Sequence, residues 1–335
     1  MPSTINLIYK ATLGQVTGLE RDALIIQEIL KPYRFKFNHY RITERRLFKK
    51  YNIPQSLASK INAYCKTRLK KFDINIFLEK IYPELCDLAD VNILIPNQER
   101  FGKVWLPLLD NIDVILCKTK YAEDIFKKCF TRVEYIGFSS LDRLSRTNKL
   151  DYTHFIHVGG KSSYRRGTHQ ILDLWKKYPH LPQLSVIARN ISSQEYVNYP
   201  NIKILDNYVP DGFLRKLQNQ AGIHLCLSEA EGFGHFIMEG LSCGACIITT
   251  NGQPMNELVQ PDRGYLVNCA SIEMDENDFE RKFHFDPVNL EETILRIIEE
   301  PEAEKIEKSL KARQYFEESN LFFRESLPKA IKNLL

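Results

Sequence analysis

The sequence predicts an α/β protein made of two Rossmann-like domains that face a cleft. Three observations carry this expectation. Short apolar runs recur along the whole chain with helix-like segments between them, the pattern of a parallel sheet covered by helices. The 335 residues suffice for two domains of ordinary size. Glycine turns directly follow several apolar runs, and α/β sheets hold ligands at the carboxyl ends of their strands.

In the first half, strands are expected at residues 5–9, 35–40, 91–95, 114–117 and 133–136, with a helix over 122–130. The polar stretch 139–153 lacks long periodicity and marks the junction, so residues 1–148 form the first domain and 149–317 the second. Second-half strands fit 155–158, 184–188, 202–205, 223–227 and 246–250; helices fit 167–178, 212–220 and 235–243. Gly244 stands where a left-handed helix cap is wanted. Residues 290–299, 305–316 and the stretch to Leu335 read as helices, and the last of them, about 318–335, is expected to pack back on the first domain.

Hydrophobic content of 44% with 26% charged residues fits a soluble globular protein. No run approaches the roughly 18 apolar residues of a membrane span. The N-terminus reads as a first buried strand rather than a signal peptide. The eight cysteines are then expected to be reduced cytosolic thiols. Cys243-Gly-Ala-Cys246 is the only CxxC and lacks the partners of a zinc site, so a buried helix end and strand start is expected there.

The net charge of +4 conceals an asymmetry. Between Lys31 and Lys71 there are 13 Lys or Arg against one acid, a net of +12, while the remainder carries a net of −8. Aromatic residues interleave with these cations. Such a patch fits anionic lipid headgroups, an acidic acceptor or another polyanion; a solvated helical face is the bland alternative.

The most informative stretch is Ser228-Glu-Ala-Glu231-Gly232-Phe233-Gly234-His235-Phe236-Ile-Met-Glu239. It reads strand, glycine turn, short helix. Amides at a helix start attract phosphate, and glycines let the backbone approach closely. Carboxylates such as Glu231 and Glu239 hydrogen-bond sugar hydroxyls instead, so the pattern suits a ligand that is part phosphate, part sugar. Val158-Gly159-Gly160-Lys161-Ser-Ser-Tyr-Arg165-Arg166-Gly167 also follows a strand. It contains Gly-Lys-Ser but has Phe155 where a P-loop needs its first glycine, so Lys161 and Arg166 are expected to clamp phosphate as paired cations. Leu13-Gly14-Gln-Val-Thr-Gly18 is either a plain strand-to-helix turn or an anion-facing loop. Asp275-Glu-Asn-Asp278 follows no apolar strand and reads as a solvated loop.

Together these residues resemble the retaining GT-B glycosyltransferases of family 4, whose signature E-x7-E matches Glu231 to Glu239. The resemblance covers the second half well: Gly160-Lys161 to Arg166-Gly167 is similar to the diphosphate loop, and 209–217, 252–259 and 264–267 to the segments around it. The first half matches only in layout. Two departures stand out. The family's Arg-then-Lys order is exchanged here, and its N-terminal-domain histidine is replaced by a turn containing Asn97 and Glu99.

The resemblance implies roles. Glu231 contacts donor-sugar hydroxyls and Glu239 the ribose. Lys161 and Arg166 neutralise the leaving diphosphate, with Gly14, Gly160 and the backbone from Gly232 through Phe233, Gly234, His235 and Phe236 around the phosphates. Arg189 and Tyr208 sit at the base, and Asn97 or Glu99 on the acceptor side. The expected reaction moves a hexose-type sugar from a UDP- or GDP-sugar to a glycan or lipid-linked acceptor, with no metal and no other cofactor. The expected place is the cytoplasm, including the inner membrane face, with nucleic acid not expected as a partner. A same-fold sugar-nucleotide epimerase and a non-catalytic polyanion-binding protein are the rival readings.

Overall fold

The computed structural model describes residues 2–12, 17–43, 72–145, 149–160 and 163–335. Gly14, Lys161 and residues 44–71 of the basic segment lie outside the described residues. The chain forms two compact units. The first comprises Met1–Phe138, Asp275–Glu280 and Phe322–Leu335; the second comprises Ser139–Met274 and Arg281–Leu321.

The first unit holds a parallel sheet of β1 (Thr4–Lys10), β2 (Lys36–Ile42), β3 (Phe72–Leu78), β4 (Ala89–Ile95), β5 (Val114–Cys117) and β6 (Val133–Tyr135), in the order β2-β1-β3-β4-β5-β6. Helix α1 (Gly18–Leu30) starts at Thr17, whose hydroxyl accepts from the Glu20 amide at 3.2 Å. Helix α2 (Lys120–Phe126) starts at Thr119, which caps the Ala122 amide at 3.1 Å. The expected helix over 122–130 therefore begins earlier, at a threonine cap, and ends sooner. Phe279 of the short Asp275–Glu280 segment packs on Phe101 and Phe126. Phe322 stacks on Tyr135 and Phe323 packs on Phe138, which explains why the chain's end belongs to this unit.

Strand β3 was not expected, because Asp73 and Asn75 interrupt its apolar run. The structure gives both a partner. Asp73 Oδ2 accepts from the Thr4 amide and hydroxyl at 2.6 and 2.7 Å, and these donors hold its carboxyl below the usual range. Asn75 is the middle of a ladder across four strands. Asn38 donates to Asn6 at 2.7 Å, Asn6 to Asn75 at 2.9 Å, and Asn75 to Asn92 at 2.9 Å and to the Leu85 carbonyl at 2.9 Å. These residues are register partners, so a slip by one position breaks every rung.

The second unit holds β7 (Asp151–Gly160), β8 (Gln183–Ala188), β9 (Ile202–Leu205), β10 (Ala221–Cys226), β11 (Cys246–Thr250) and β12 (Gly264–Val267), all parallel, in the order β12-β11-β10-β7-β8-β9. Counted from β7 this is the Rossmann order 3-2-1-4-5-6. Helices α3 (Thr168–Lys177), α4 (Asp211–Gln220), α5 (His235–Ser242), α6 (Met255–Leu258) and α7 (Pro287–Glu299) accompany it. The apolar strands read from the sequence are buried here around Trp175, Phe155 and Ile248. Gly244 has φ +74°, the expected left-handed cap after α5.

An antiparallel hairpin, β13 (Cys269–Met274) with β14 (Arg281–Phe285), was not expected; Asp275 to Asp278, read as a solvated loop, lies between its strands, with residues 275–277 exposed. The final helices merge into one, α8 (Glu302–Lys332). Residues 139–145, placed by sequence in the first domain, belong to the second unit, where Arg143 is buried against Gln218 and Asp211.

Asn75→Ala removes the central rung and leaves buried amides unmatched. It is expected to cost about 1–3 kcal/mol, read as an earlier urea transition of the first unit; an unchanged midpoint would show that the ladder contributes nothing.

Candidate functional site

Strand order reverses between β7 and β10. Connections from their carboxyl ends leave in opposite directions, β7 toward β8 and β10 toward β11. A crevice at such a point is where open α/β sheets hold ligands. Both glycine motifs singled out in the sequence follow these two strands.

At the end of β7 the chain turns sharply. Gly160 has φ +60° and Gly167 has φ +66°. A Cβ on Gly167 would stand 2.5 Å from Phe285 Cε1, so only glycine fits. At the end of β10 the Glu229 amide bonds the Arg165 carbonyl at 3.0 Å, joining the two loops. Beneath them lies His157, fully buried. Its Nδ1 lies 2.9 Å from the Leu225 carbonyl and its Nε2 2.8 Å from Thr168 Oγ1. A carbonyl only accepts, so Nδ1 carries the proton and Nε2 accepts from Thr168. Burial is the main force on this ring and lowers its pKa to about 4, opposed by the Leu225 carbonyl and aided by Arg166.

Of the two cations expected to clamp phosphate, Arg166 lies among the described residues. Its Nη1 donates to the Val158 carbonyl at 2.9 Å, and its guanidinium lies 4.5 Å from the ring centroid of Phe236. Phe236 is the second residue of α5, so this places a fixed positive charge beside the first turn of that helix. Gly234, the N-cap, has φ +107°. Its carbonyl accepts from the Ile237 and Met238 amides at 3.0 and 3.1 Å. The amides of Gly234, His235 and Phe236 thus precede the first helical bond, at the positive end of the helix dipole. His235 Nδ1 lies 2.7 Å from Ser140 Oγ.

The two glutamates differ. Glu231 is half-buried on the loop before α5, and its Oε1 accepts from Ser228 Oγ at 2.7 Å. Glu239 lies inside α5 with only 5% exposure, and its Oε2 accepts from Gln218 Nε2 at 3.1 Å. Sequence reasoning found both carboxylates but missed Ser228 and Gln218. Only Ser228, three residues before Glu231, left a local signal; Gln218 belongs to a different helix.

Arg189 and Tyr208 come together after β8 and β9. The Arg189 amide bonds the Gly160 carbonyl at 3.1 Å, and its guanidinium lies 5.5 Å from the centroid of the exposed Tyr208 ring. In the first unit, Asn97 follows β4 and donates to Glu79 Oε2 at 3.2 Å; Glu99 sits two residues on, half-buried in a 3-10 turn. Cys243 and Cys246 are buried, which pushes both thiols up to about 12, a poor setting for thiolate chemistry. Among the described residues no group of three His, Cys, Asp or Glu side chains is arranged to hold a metal ion.

Fold and site together comprise two parallel α/β sheets, with the start of α5, Arg166, Glu231 and Glu239 around the switch point of the second. Residues 193–318 match the family model described as glycosyl transferases group 1, and the chain therefore carries a group 1 glycosyltransferase domain in its second unit. It is a glycosyltransferase by that domain, with GT-B architecture. Comparison with curated protein sequences finds no significant match. Among solved structures, HepE from Anabaena in complex with UDP-glucose is similar at TM-score 0.67 and 13% identity, covering 98% of this chain and 99% of that one. A glycosyltransferase from Rickettsia africae is similar at TM-score 0.71 and 12% identity, over 99% and 98% of the two chains. Sucrose-phosphate synthase from Thermosynechococcus elongatus is similar at TM-score 0.69 and 14% identity, again over 99% and 98%. At these identities the likeness establishes the fold.

Buried neutral histidines make stability pH-dependent. His157 and His224 both have folded-state pKa values lowered from 6.5 to about 4 by burial; His224 Nε2 faces the Gln218 carbonyl. The unfolded chain protonates first as pH falls, so stability drops from about pH 6.5 to about pH 4 and levels below. Urea midpoints of the second unit are expected to fall over that window. His224→Gln should flatten the slope; an unaltered slope in that variant would exclude His224 as a source.

Proposed function

We propose that this chain transfers a hexose-type sugar from a UDP-sugar to a hydroxyl of a glycan or lipid-linked acceptor, with retention of anomeric configuration and without a metal. The observation that carries the reading is Arg166, from the loop after β7, held over Phe236 at the start of α5, with Glu231 on the loop that leads into α5. HepE from Anabaena, solved with UDP-glucose, and the trehalose-6-phosphate protein from E. coli, solved with UDP-2-fluoro glucose, lend weight to uridine over guanosine.

In this reading the diphosphate lies against the amides of Gly234, His235 and Phe236. Arg166 and Lys161 supply counter-charge as the bond between the anomeric carbon and the phosphate oxygen breaks. Charge grows on that oxygen in the transition state, so donors already aimed at it lower the barrier. The acceptor oxygen bonds the anomeric carbon on the face the phosphate leaves, and the acceptor proton passes to the departing phosphate. Glu231, oriented by Ser228, accepts from donor-sugar hydroxyls as the ring becomes oxocarbenium-like. Glu239 accepts from the ribose diol, and Tyr208 with Arg189 stacks on the base. Asn97 and Glu99 are the acceptor-side candidates of the first unit.

A thermal-shift series with UDP tests the donor assignment. UDP at about 100 times its Kd is expected to add roughly 2.7 kcal/mol, equally with magnesium and with EDTA; loss of the shift in EDTA would overturn metal independence. Glu231→Ala is expected to fold, to retain UDP affinity within about threefold, and to lose transfer by about a hundredfold or more. Wild-type turnover by that variant would remove Glu231 from the site. NMR of the donor incubated without acceptor separates transfer from epimerisation.

No helix among the described residues is long and apolar enough to cross a membrane. For a lipid-linked acceptor, the cations between Lys31 and Lys71 provide the contact with an anionic leaflet, at about 1 kcal/mol for each cation near the surface. Co-sedimentation is expected with anionic but not neutral vesicles; equal binding to both would exclude a lipid role for the segment.

A further inference from the structure

We infer that Gln218 and Arg143 are positioning residues that aim the Glu239 carboxylate, and through it set the preference of this site for a ribose over a 2′-deoxyribose. The inference rests on the reading of Glu239 as the ribose acceptor.

The argument begins with burial. Glu239, Gln218 and Arg143 are 5%, 1% and 4% exposed, so each polar group needs a partner within the protein. Arg143 Nε donates to Gln218 Oε1 at 2.9 Å, and Gln218 Nε2 donates to Glu239 Oε2 at 3.1 Å. Arginine has no acceptor, so the amide oxygen of Gln218 must face Arg143 and its NH2 must face Glu239. A flipped amide would set donor against donor on one side and acceptor against carboxylate on the other. The chain of contacts therefore has one direction, ending on the Glu239 carboxylate as an acceptor.

Arg143 is itself held. Its Nη1 pairs with Asp211 Oδ1 at 2.7 Å, its amide donates to Ser242 Oγ at 2.9 Å, and its carbonyl accepts from Asn219 Nδ2 at 2.8 Å. Ser242 Oγ in turn donates to the Glu239 carbonyl at 2.7 Å, so Arg143 is tied to α5 through backbone as well as side chain. The Gln218 carbonyl accepts from His224 Nε2 at 2.9 Å, which fixes the end of α4 against β10. A carboxylate offers about four acceptor positions, and the bond from Gln218 limits its rotation, so Gln218 sets the direction in which the carboxylate meets the ribose 2′-hydroxyl. Only the 2′-hydroxyl distinguishes the two sugars, and its hydrogen bond depends on where that carboxylate points.

The test measures Kd for UDP and for 2′-deoxy-UDP by calorimetry on the full chain. Wild type is expected to prefer UDP by about tenfold or more, the size of one hydrogen bond to a charged group. Gln218→Met keeps volume but removes both bonds; it should bring the ratio of the two Kd values near one while changing 2′-deoxy-UDP binding by less than about threefold. Arg143→Lys should reduce the ratio partway, since lysine keeps the charge but not the Nε–H fork. If circular dichroism shows Gln218→Met unfolded, Gln218→Asn, polar and one methylene shorter, carries the same comparison. Equal weakening of both nucleotides in the folded variant would overturn the positioning role. Failure of wild type to bind UDP at all would instead overturn the functional reading beneath it.

Discussion

The reversal of strand order between β7 and β10 is the constraint on which the site depends. Two neighbouring parallel strands whose chains depart in opposite directions cannot cover their own carboxyl ends. The two loops released there are then free to be shaped by chemistry rather than by the sheet. What shapes them is a small set of contacts: the Glu229 amide on the Arg165 carbonyl, and His157 bridging Leu225 to Thr168. The positive-φ glycines at 160, 167 and 234 supply turns that other residues would strain. Binding groups from loops far apart in sequence meet because the sheet topology leaves them no other place.

The charge distribution at this crevice follows from burial. His157 lies at its floor, but burial keeps the ring neutral near pH 7, so it contributes a hydrogen-bonded spacer and not a cation. Positive charge comes instead from Arg166, which is planar, permanently charged and immobilised between the Val158 carbonyl and the Phe236 face. In the proposed reaction this immobilisation matters, because a donor already in place pays no reorganisation when charge appears in the transition state. The first-turn amides of α5 add their partial charges on the same side.

Much of this was legible in the sequence, for reasons that differ by element. Parallel strands buried on both faces read as continuous apolar runs, so β1, β8, β10 and β11 stood out. The glycine turns were legible because few residues adopt their backbone angles. β3 escaped because Asp73 and Asn75 look like breaks, and only the neighbouring strands reveal that Thr4, Asn6 and Asn92 complete them. The β13–β14 hairpin escaped because β13 is largely exposed and β14 is five residues long, its buried Phe283 and Phe285 alternating with polar residues, which leaves no continuous apolar run. Gln218 and Arg143 are ordinary polar residues in the sequence, and tertiary contact alone gives them significance.

Glu231 and Glu239 make the same point at the level of one residue type. The spacing marks both as a pair, yet the fold treats them oppositely. Glu231 lies on a loop, partly exposed, with a hydroxyl from Ser228 as its oriented neighbour. Glu239 is inside a helix, buried, with an amide from another helix that is itself directed by a buried guanidinium. A loop carboxylate can shift as a sugar ring flattens toward an oxocarbenium, whereas a buried one held by a directed amide suits a ribose that keeps its shape throughout the reaction. In the proposed reaction, burial rather than spacing is the physical difference between Glu231, assigned to the sugar, and Glu239, assigned to the ribose.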